Sequence, residues 1–432
     1  MRRGWLILLV ITMQRLVAGD STFLLRGLSV YADNDERNLP LVLRWNVTPE
    51  GKPGTSNRIT IQFDVLADEP PDLRIRFAHC NRDWKEDENL FVNDIYHNTS
   101  FILQFEVSPG GVKSYTYRYI NSFPDDRDAV RFDYSGNWIF RITDKGGENV
   151  FAEGRFFVVD QITPTSVVVA NEYLTTSVSP YNQIQSVRAR IRLPREVDGF
   201  YYTTVDVYQN RRLYNPYRID AWDRDPYTMV EGFNTGERLF TITNIPPGNE
   251  YRVLDLSNVT RYPNGVPVRN VDGADQLRLF WRTGPDHNGA AQRNSFTGLN
   301  GEYLEVLFRL AMTTTDYRAL TRGGREIFVA GEFNFWNPGA DDRLAWDEAE
   351  GYYVVKKFLR RGIYDYQYVT GTWSEETQRV ERQDWLALEG NDWRTTNIYT
   401  VLVYYNDPRF GGFDRIVGIG RAESPRTLPG SN

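Results

Sequence analysis

The side chains most able to do chemistry are few: three histidines, His79, His97 and His287, and one cysteine, Cys80, in 432 residues. A histidine metal cage would need all three to converge from well-separated stretches. A cysteine–histidine nucleophile pair would use Cys80 with one of them, but its neighbour His79 points to the opposite face of any strand that holds both. Cys80 therefore reads as a small buried hydrophobe. Acidic pairs stand at Asp125–Asp126 and Asp341–Asp342. Glycosidases use two carboxylates, but from different strands lining an aromatic cleft; adjacent aspartates in loops with Gly or Pro form turns. The runs "DDRD" (125–128) and "DRDP" (223–226) offer oxygen ligands without the spacing of a calcium loop. There is no G-x-S-x-G elbow, no phosphate loop ending in Lys-Ser/Thr, and no H-E-x-x-H. The expectation is a protein that is not an enzyme, with no catalytic, cofactor-binding or metal-ligating residue and no cofactor.

The elements around these residues are strands. In "RITIQFDVL" (58–66), Ile59, Ile61, Phe63 and Val65 face one way while Thr60, Gln62 and Asp64 face the other. "VRARIRL" (187–193) sets Val187, Ala189, Ile191 and Leu193 against three arginines, and "QLRLFWR" (276–282) and "YLEVLFRLA" (303–311) repeat the pattern. Turn clusters such as "DKGGEN", "IPPGNE" and "NPGADD" separate the runs. Only "TDYRALTR" (315–322) has room for a helical turn or two. The fold class is all-β, as β-sandwiches of roughly 100 residues each. Breaks at "VVDQITPTS" (158–166) and "TGPDHNGAAQRNSFTGLNG" (283–301) divide the chain into blocks at 22–160, 161–290 and 300–422, with a polar tail at 423–432.

Composition limits the partners. A net charge of −7 argues against nucleic acid, whose binding rests on clustered positive charge. A single cysteine allows no internal disulfide. Residues 1–19 read as a signal peptide: "MRRGW" is positive, "LILLVITM" apolar, and "VAG" small before Asp20. Gln14 and Arg15 leave the apolar run too short to span a bilayer. No cysteine stands near the cleavage point to carry a lipid, and no later segment is apolar enough to cross a membrane. An exported, non-spanning protein with one buried thiol fits a bacterial periplasm.

Two resemblances follow from longer patterns. "IFVAGEFNFWNPG" (327–339) followed by "GYYVVKKFLRRGIYDYQYVTGTW" (351–373) resembles the early-set immunoglobulin-like modules that bind glycogen and starch. The resemblance implies that Trp336 and Trp373 occupy the sugar-stacking positions. The module's sugar-binding lysine falls at Gln367, and its later asparagine corresponds to Asn397. These four residues are the candidate carbohydrate or partner-contact face, and weak glucan binding through the C-terminal domain is the alternative function.

The second resemblance spans almost the whole chain. "LRIRFAHCNRDW" (73–84), "YSGNWIFRITD" (134–144), "GRFFVVD" (154–160), "VDVYQNRRLYN" (205–215) and "EGNDWRTTNIYTVLVYYNDPRFGGFDRIVGIG" (389–420), in this order behind a signal peptide, are similar to the plug protein family of the bacterial type IX secretion system. The resemblance implies three tandem immunoglobulin-like (early-set type) β-sandwiches and a periplasmic location at the inner face of the outer membrane in Bacteroidetes-type bacteria. The implied partner is the giant outer-membrane translocon β-barrel, whose periplasmic mouth the protein would seal when no folded cargo is being exported. Arginine and tyrosine on "RIRF" (74–77), "RAR" (188–190) and "YQNRRLYNPYR" (208–218) are candidate docking side chains, because Tyr and Arg anchor protein interfaces.

Overall fold

The structure, a computed structural model, describes residues 16–18, 21–45, 54–55, 57–94, 96–125, 129–173, 183–194, 198–278, 280–281, 284 and 286–426. Most of the expected signal peptide and the end of the expected tail, 427–432, lie outside the described residues, as do Asp126 and Asp128 of the first acidic run. The fold is all-β: the described residues form six sheets, with a single short α-helix at Thr314–Leu320. Thr313 and Asp316 cap that helix reciprocally, as a Thr three residues before an acidic side chain allows.

The sheets pack as three pairs, each around its own core. In the first pair, a five-stranded sheet (Leu16–Ala18, Ser21–Ala32, Ile59–Leu66, Tyr117–Phe123, Phe105–Val107) faces a six-stranded one. The latter holds Gly54–Thr55, Leu41–Trp45, Val150–Asp160, Gly136–Asp144, Leu73–Cys80 and Thr99–Ser100. Ile59, Ile61, Phe63 and Val65 from one sheet meet Ile75, Phe140, Phe156 and Val158 from the other. The period-two alternation produces this face, since alternate side chains of a strand share one side.

The second pair does not follow the linear division expected from the sequence. One sheet holds Thr165–Tyr173, Gln183–Arg192, Glu237–Ile245 and Thr228–Glu231; the other holds Tyr217–Asp220, Thr204–Gln209, Ile398–Asp407 and Phe413–Glu423. Val205 pairs with Val403, and Tyr208 with Thr400. The last two long strands, expected in a block at 300–422, thus complete the second pair rather than the third. The third pair, built around Arg252–Asp255, Tyr303–Ala311, Glu326–Gly331, Tyr352–Arg360 and Ile363–Ser374, is inserted between Glu237–Ile245 and Ile398–Asp407. Alternation marks a strand but does not encode its partner, so linear order was the wrong guide here. The expected tail also begins later: strand ends at Glu423, and the buried Ser424 accepts from Asn397 N at 2.9 Å and donates to Thr395 O at 3.1 Å.

Candidate interaction surface

The four residues singled out as a sugar or partner face are not on one open face. The turn carrying Trp336 forms as its sequence suggests: Asn334 Oδ1 accepts from Gly331 N at 3.0 Å, and Asn334 Nδ2 donates to Val329 O at 3.0 Å. The ring then turns inward. Trp336 is 1% exposed, donates from Nε1 to Gly289 O at 2.7 Å, and packs 4.6 Å from the Tyr251 ring. Phe328, Val369 and Val380 share its buried cluster and Trp385 packs against it, so the ring offers no open face for a sugar. Trp373 is half-buried against the same cluster. Gln367 is buried, accepting from Arg212 at 2.8 Å and donating to Asn249 O at 3.1 Å. Asn397 is buried in the second pair, donating to Gln185 at 3.1 Å and Pro247 O at 2.9 Å and accepting from Asn210 at 2.8 Å.

The histidines and the cysteine are likewise internal or paired with carboxylates. His79 is buried between Asp87 at 2.5 Å and Ser135 O at 2.9 Å. His97 contacts Asp94 at 2.7 Å, and His287 lies 3.5 Å from Asp365. Cys80 packs with Ala78 and Ile139, and burial pushes its thiol up to about 12. Asp342 pairs with Lys357 at 2.6 Å and accepts from Gly339 N at 2.8 Å, the turn-forming use expected of it.

What the buried polar groups do instead is join the three pairs of sheets. Between the first and second pairs, Leu39, Phe157 and Val159 share a core with Tyr208, Leu213, Leu402, Tyr404 and Ile416. Around it, Arg415 reaches Asp160 at 2.6 Å, Arg82 reaches Asp220 at 2.9 Å, Tyr404 donates to Asn137 at 2.7 Å, and Arg218 bridges Asp206 and Asp83. The buried Arg155 guanidinium sits between two rings, 4.3 Å from Trp84 and 4.0 Å from Tyr214. Burial lowers its pKa, and the two π-faces supply attraction there. Between the first and third pairs, Arg293 contacts Glu36 at 2.9 Å and Glu332 at 3.0 Å, all three buried. Burial opposes the Arg293 charge, but Glu332 and Glu36 outweigh it and hold its pKa above the ordinary value. Glu302 accepts from Ser114 N at 3.1 Å, and Tyr303 donates to Asp64 at 2.9 Å. Between the second and third pairs, Asn210 donates to Tyr251 at 3.0 Å.

These junctions account for one of the arginine-rich segments. "YQNRRLYNPYR" is a joint rather than an outer face: Arg211 donates to Arg37 O and Asn38 O at 3.2 and 2.8 Å, and Arg212 stacks 4.2 Å from Trp385. Arg188, Arg190 and Arg192 do face solvent, with Glu237 3.7 Å from Arg190 and 3.9 Å from Arg192. The sequence reading missed Glu36, Asp160, Arg293 and Arg415. A usable signal was present in 59–66: its polar positions are Thr60, Gln62 and Asp64, with no lysine or arginine; all three are buried, and Asp64 meets Tyr303 of the third pair.

A cleft of about 610 Å³ at the junction of the second and third pairs is lined by Glu250, Trp281, Asp286, Asn288, Trp393, Arg394 and Thr396, among others. Glu250 is pushed up to about 7, by burial first and then by the Asp286 carboxyl to which it hydrogen-bonds. Arg394 lies 4.4 Å over the Trp281 ring.

Residues 28–160, the first pair of sheets, match the family model of the type 9 secretion system plug protein 1st domain. A crystal structure of a hypothetical protein from Parabacteroides merdae has a TM-score of 0.71 at 18% identity, covering 92% of this chain and 97% of that one, which shows a common fold. A biofilm-associated protein BSP domain reaches a TM-score of only 0.16 at 7% identity over 92% of this chain and 59% of its own. No curated protein matches.

Proposed function

We propose, from a first domain of the type 9 secretion system plug family, that this protein is a periplasmic plug that reversibly closes the periplasmic mouth of the outer-membrane secretion barrel between export events. The family match over residues 28–160 is the observation that carries the reading. A barrel wide enough for folded cargo encloses an aqueous lumen that leaks when open. A plug must therefore act sterically, making and breaking no covalent bond, and must keep its shape under load. Junctions such as Arg293–Glu36–Glu332 and Arg415–Asp160 support that demand, because paired buried charges are costly to separate. The N-terminal run of positive, apolar and small residues supports export. Among the described residues, no helix is long and apolar enough to cross a membrane.

The test is genetic. Deleting the protein is expected to raise sensitivity to bulky antibiotics in cells that carry the barrel and to leave cells without the barrel unchanged. An equal rise in both strains would refute the sealing role.

A further inference from the structure

A run of exposed rings lies on the open side of the second pair of sheets. Phe200 is 61% exposed, Trp222 64% and Phe233 43%, and their ring centroids are spaced 6.0 and 6.2 Å apart. The loops that carry them are fixed from behind. Asp198 accepts from Phe200 N at 2.9 Å, and Asp220, itself held by Arg82 of the first pair, accepts from Trp222 N at 2.9 Å. Arg238, 2% exposed, donates to Gly199 O at 2.8 Å and to Gly232 O, and its guanidinium lies 4.4 Å from the Phe233 ring. Large rings held in water by a pre-set backbone lose little freedom on contact, which is what concentrates binding energy at an interface.

The surroundings narrow the occupant. The rings are tilted 50° and 40° to their neighbours rather than coplanar, a ridged surface that suits branched apolar side chains better than a flat sugar. Among the described residues at this edge, Asp198, Asp223, Asp225 and Glu231 are exposed, against the exposed cations Arg224 and Arg192, the latter 3.9 Å from Glu237. That sign repels anionic lipid headgroups and complements a basic rim.

We infer that Phe200, Trp222 and Phe233 form a docking surface for a protein partner whose contact face is apolar and ringed by lysine or arginine. Resting on the proposed function, the inference takes that partner to be the periplasmic rim of the secretion barrel. The experiment compares the full-length protein with Trp222→Ser/Phe233→Ser and Asp223→Lys/Asp225→Lys variants for retention by barrel purified from solubilised outer membrane. Thermal unfolding and circular dichroism serve as checks that both variants fold. Wild type is expected to be retained. The ring variant is expected to lose about thirtyfold or more in affinity, the usual scale of a hot spot. The charge variant is expected to associate more slowly, with a weaker dependence on salt. If wild type is retained and the ring variant binds equally well, the inference is overturned and the plug reading stands. Undiminished association of the charge variant overturns the basic rim. Equal retention on barrel-free vesicles of phosphatidylethanolamine and phosphatidylglycerol overturns the protein partner. Failure of wild type to bind barrel at all overturns both readings.

Discussion

At Glu250 two influences act in the same direction: burial at 8% exposure disfavours the charged carboxylate, and the Asp286 carboxyl beside it disfavours it further. The backbone N–H of Thr396, donating to Oε1 at 3.0 Å, opposes them only in part. A carboxyl raised in this way, to about 7, favours the folded state while it is protonated. Its contribution is complete below the unfolded-state value near 4.5 and is lost as pH rises through about 7. Stability against urea is therefore expected to fall between pH 5 and pH 8. Glu250→Gln, which keeps an acceptor for Thr396 and removes the titration, is expected to flatten that slope and gain on the order of 1 kcal/mol at pH 8. A variant with the same slope as wild type would rule the pair out as its source. The cationic groups lining the cleft, Arg394 and Arg426, are untouched by the change and so cancel in the comparison, while Asp286, itself raised by burial first, loses its partner carboxylate.

The turn Glu332–Asn334 with Trp336 behind it is the element where local rules succeeded and tertiary placement did not. Asn334 makes the expected turn, with strands at Glu326–Gly331 before it and Ala345–Asp347 after it. Whether the Trp336 ring is open depends on groups distant in sequence, Tyr251 and Trp385 packed beside it and Gly289 O accepting from its Nε1. Trp336 is thus a core residue. Trp336→Ala is expected to cost about 3–5 kcal/mol of stability, the usual range for deleting a buried large ring. Urea unfolding checks it, and a loss below about 1 kcal/mol would contradict the burial. The same logic explains the rest of what the sequence made legible. "VRARIRL" showed both its faces correctly, because its polar side meets water. "RITIQFDVL" showed only its core side, because its polar positions Thr60, Gln62 and Asp64 are buried too, Asp64 accepting from Tyr303 of the third pair. Alternation reports that two faces differ; it is silent on whether the polar one meets solvent or a polar junction. The early-set resemblance expects a hairpin at Trp336, but Glu326–Gly331 pairs with Ile363–Ser374, and Asn397 falls in another pair of sheets, because Ile398–Asp407 pairs with Thr204–Gln209.

On the scale of the whole molecule, the insertion of the third pair within the second makes the last strands indispensable to the middle of the chain. Truncation after residue 390 is expected to do more than trim a C-terminal block. It removes Ile398–Asp407 and Phe413–Glu423, leaving Thr204–Gln209 without its inner neighbour and Val205 and Val207 without Val401, Val403 and Val417. Hydrogen exchange should show protection lost across 204–209 as well as near the new end, with the core at 59–65 retained. Protection kept at 204–209 would contradict the pairing. The insertion also sets an order in time. Val205 must wait for Val403, so the second pair of sheets can only close once the chain through Ile398–Asp407 and Phe413–Glu423 has been delivered. Prematurely released or C-terminally clipped chains therefore carry an unfinished sheet edge, which proteases and chaperones can distinguish from the finished protein. The closing hairpin works as a seal of completeness: a copy that stops short of it never acquires the finished second pair of sheets.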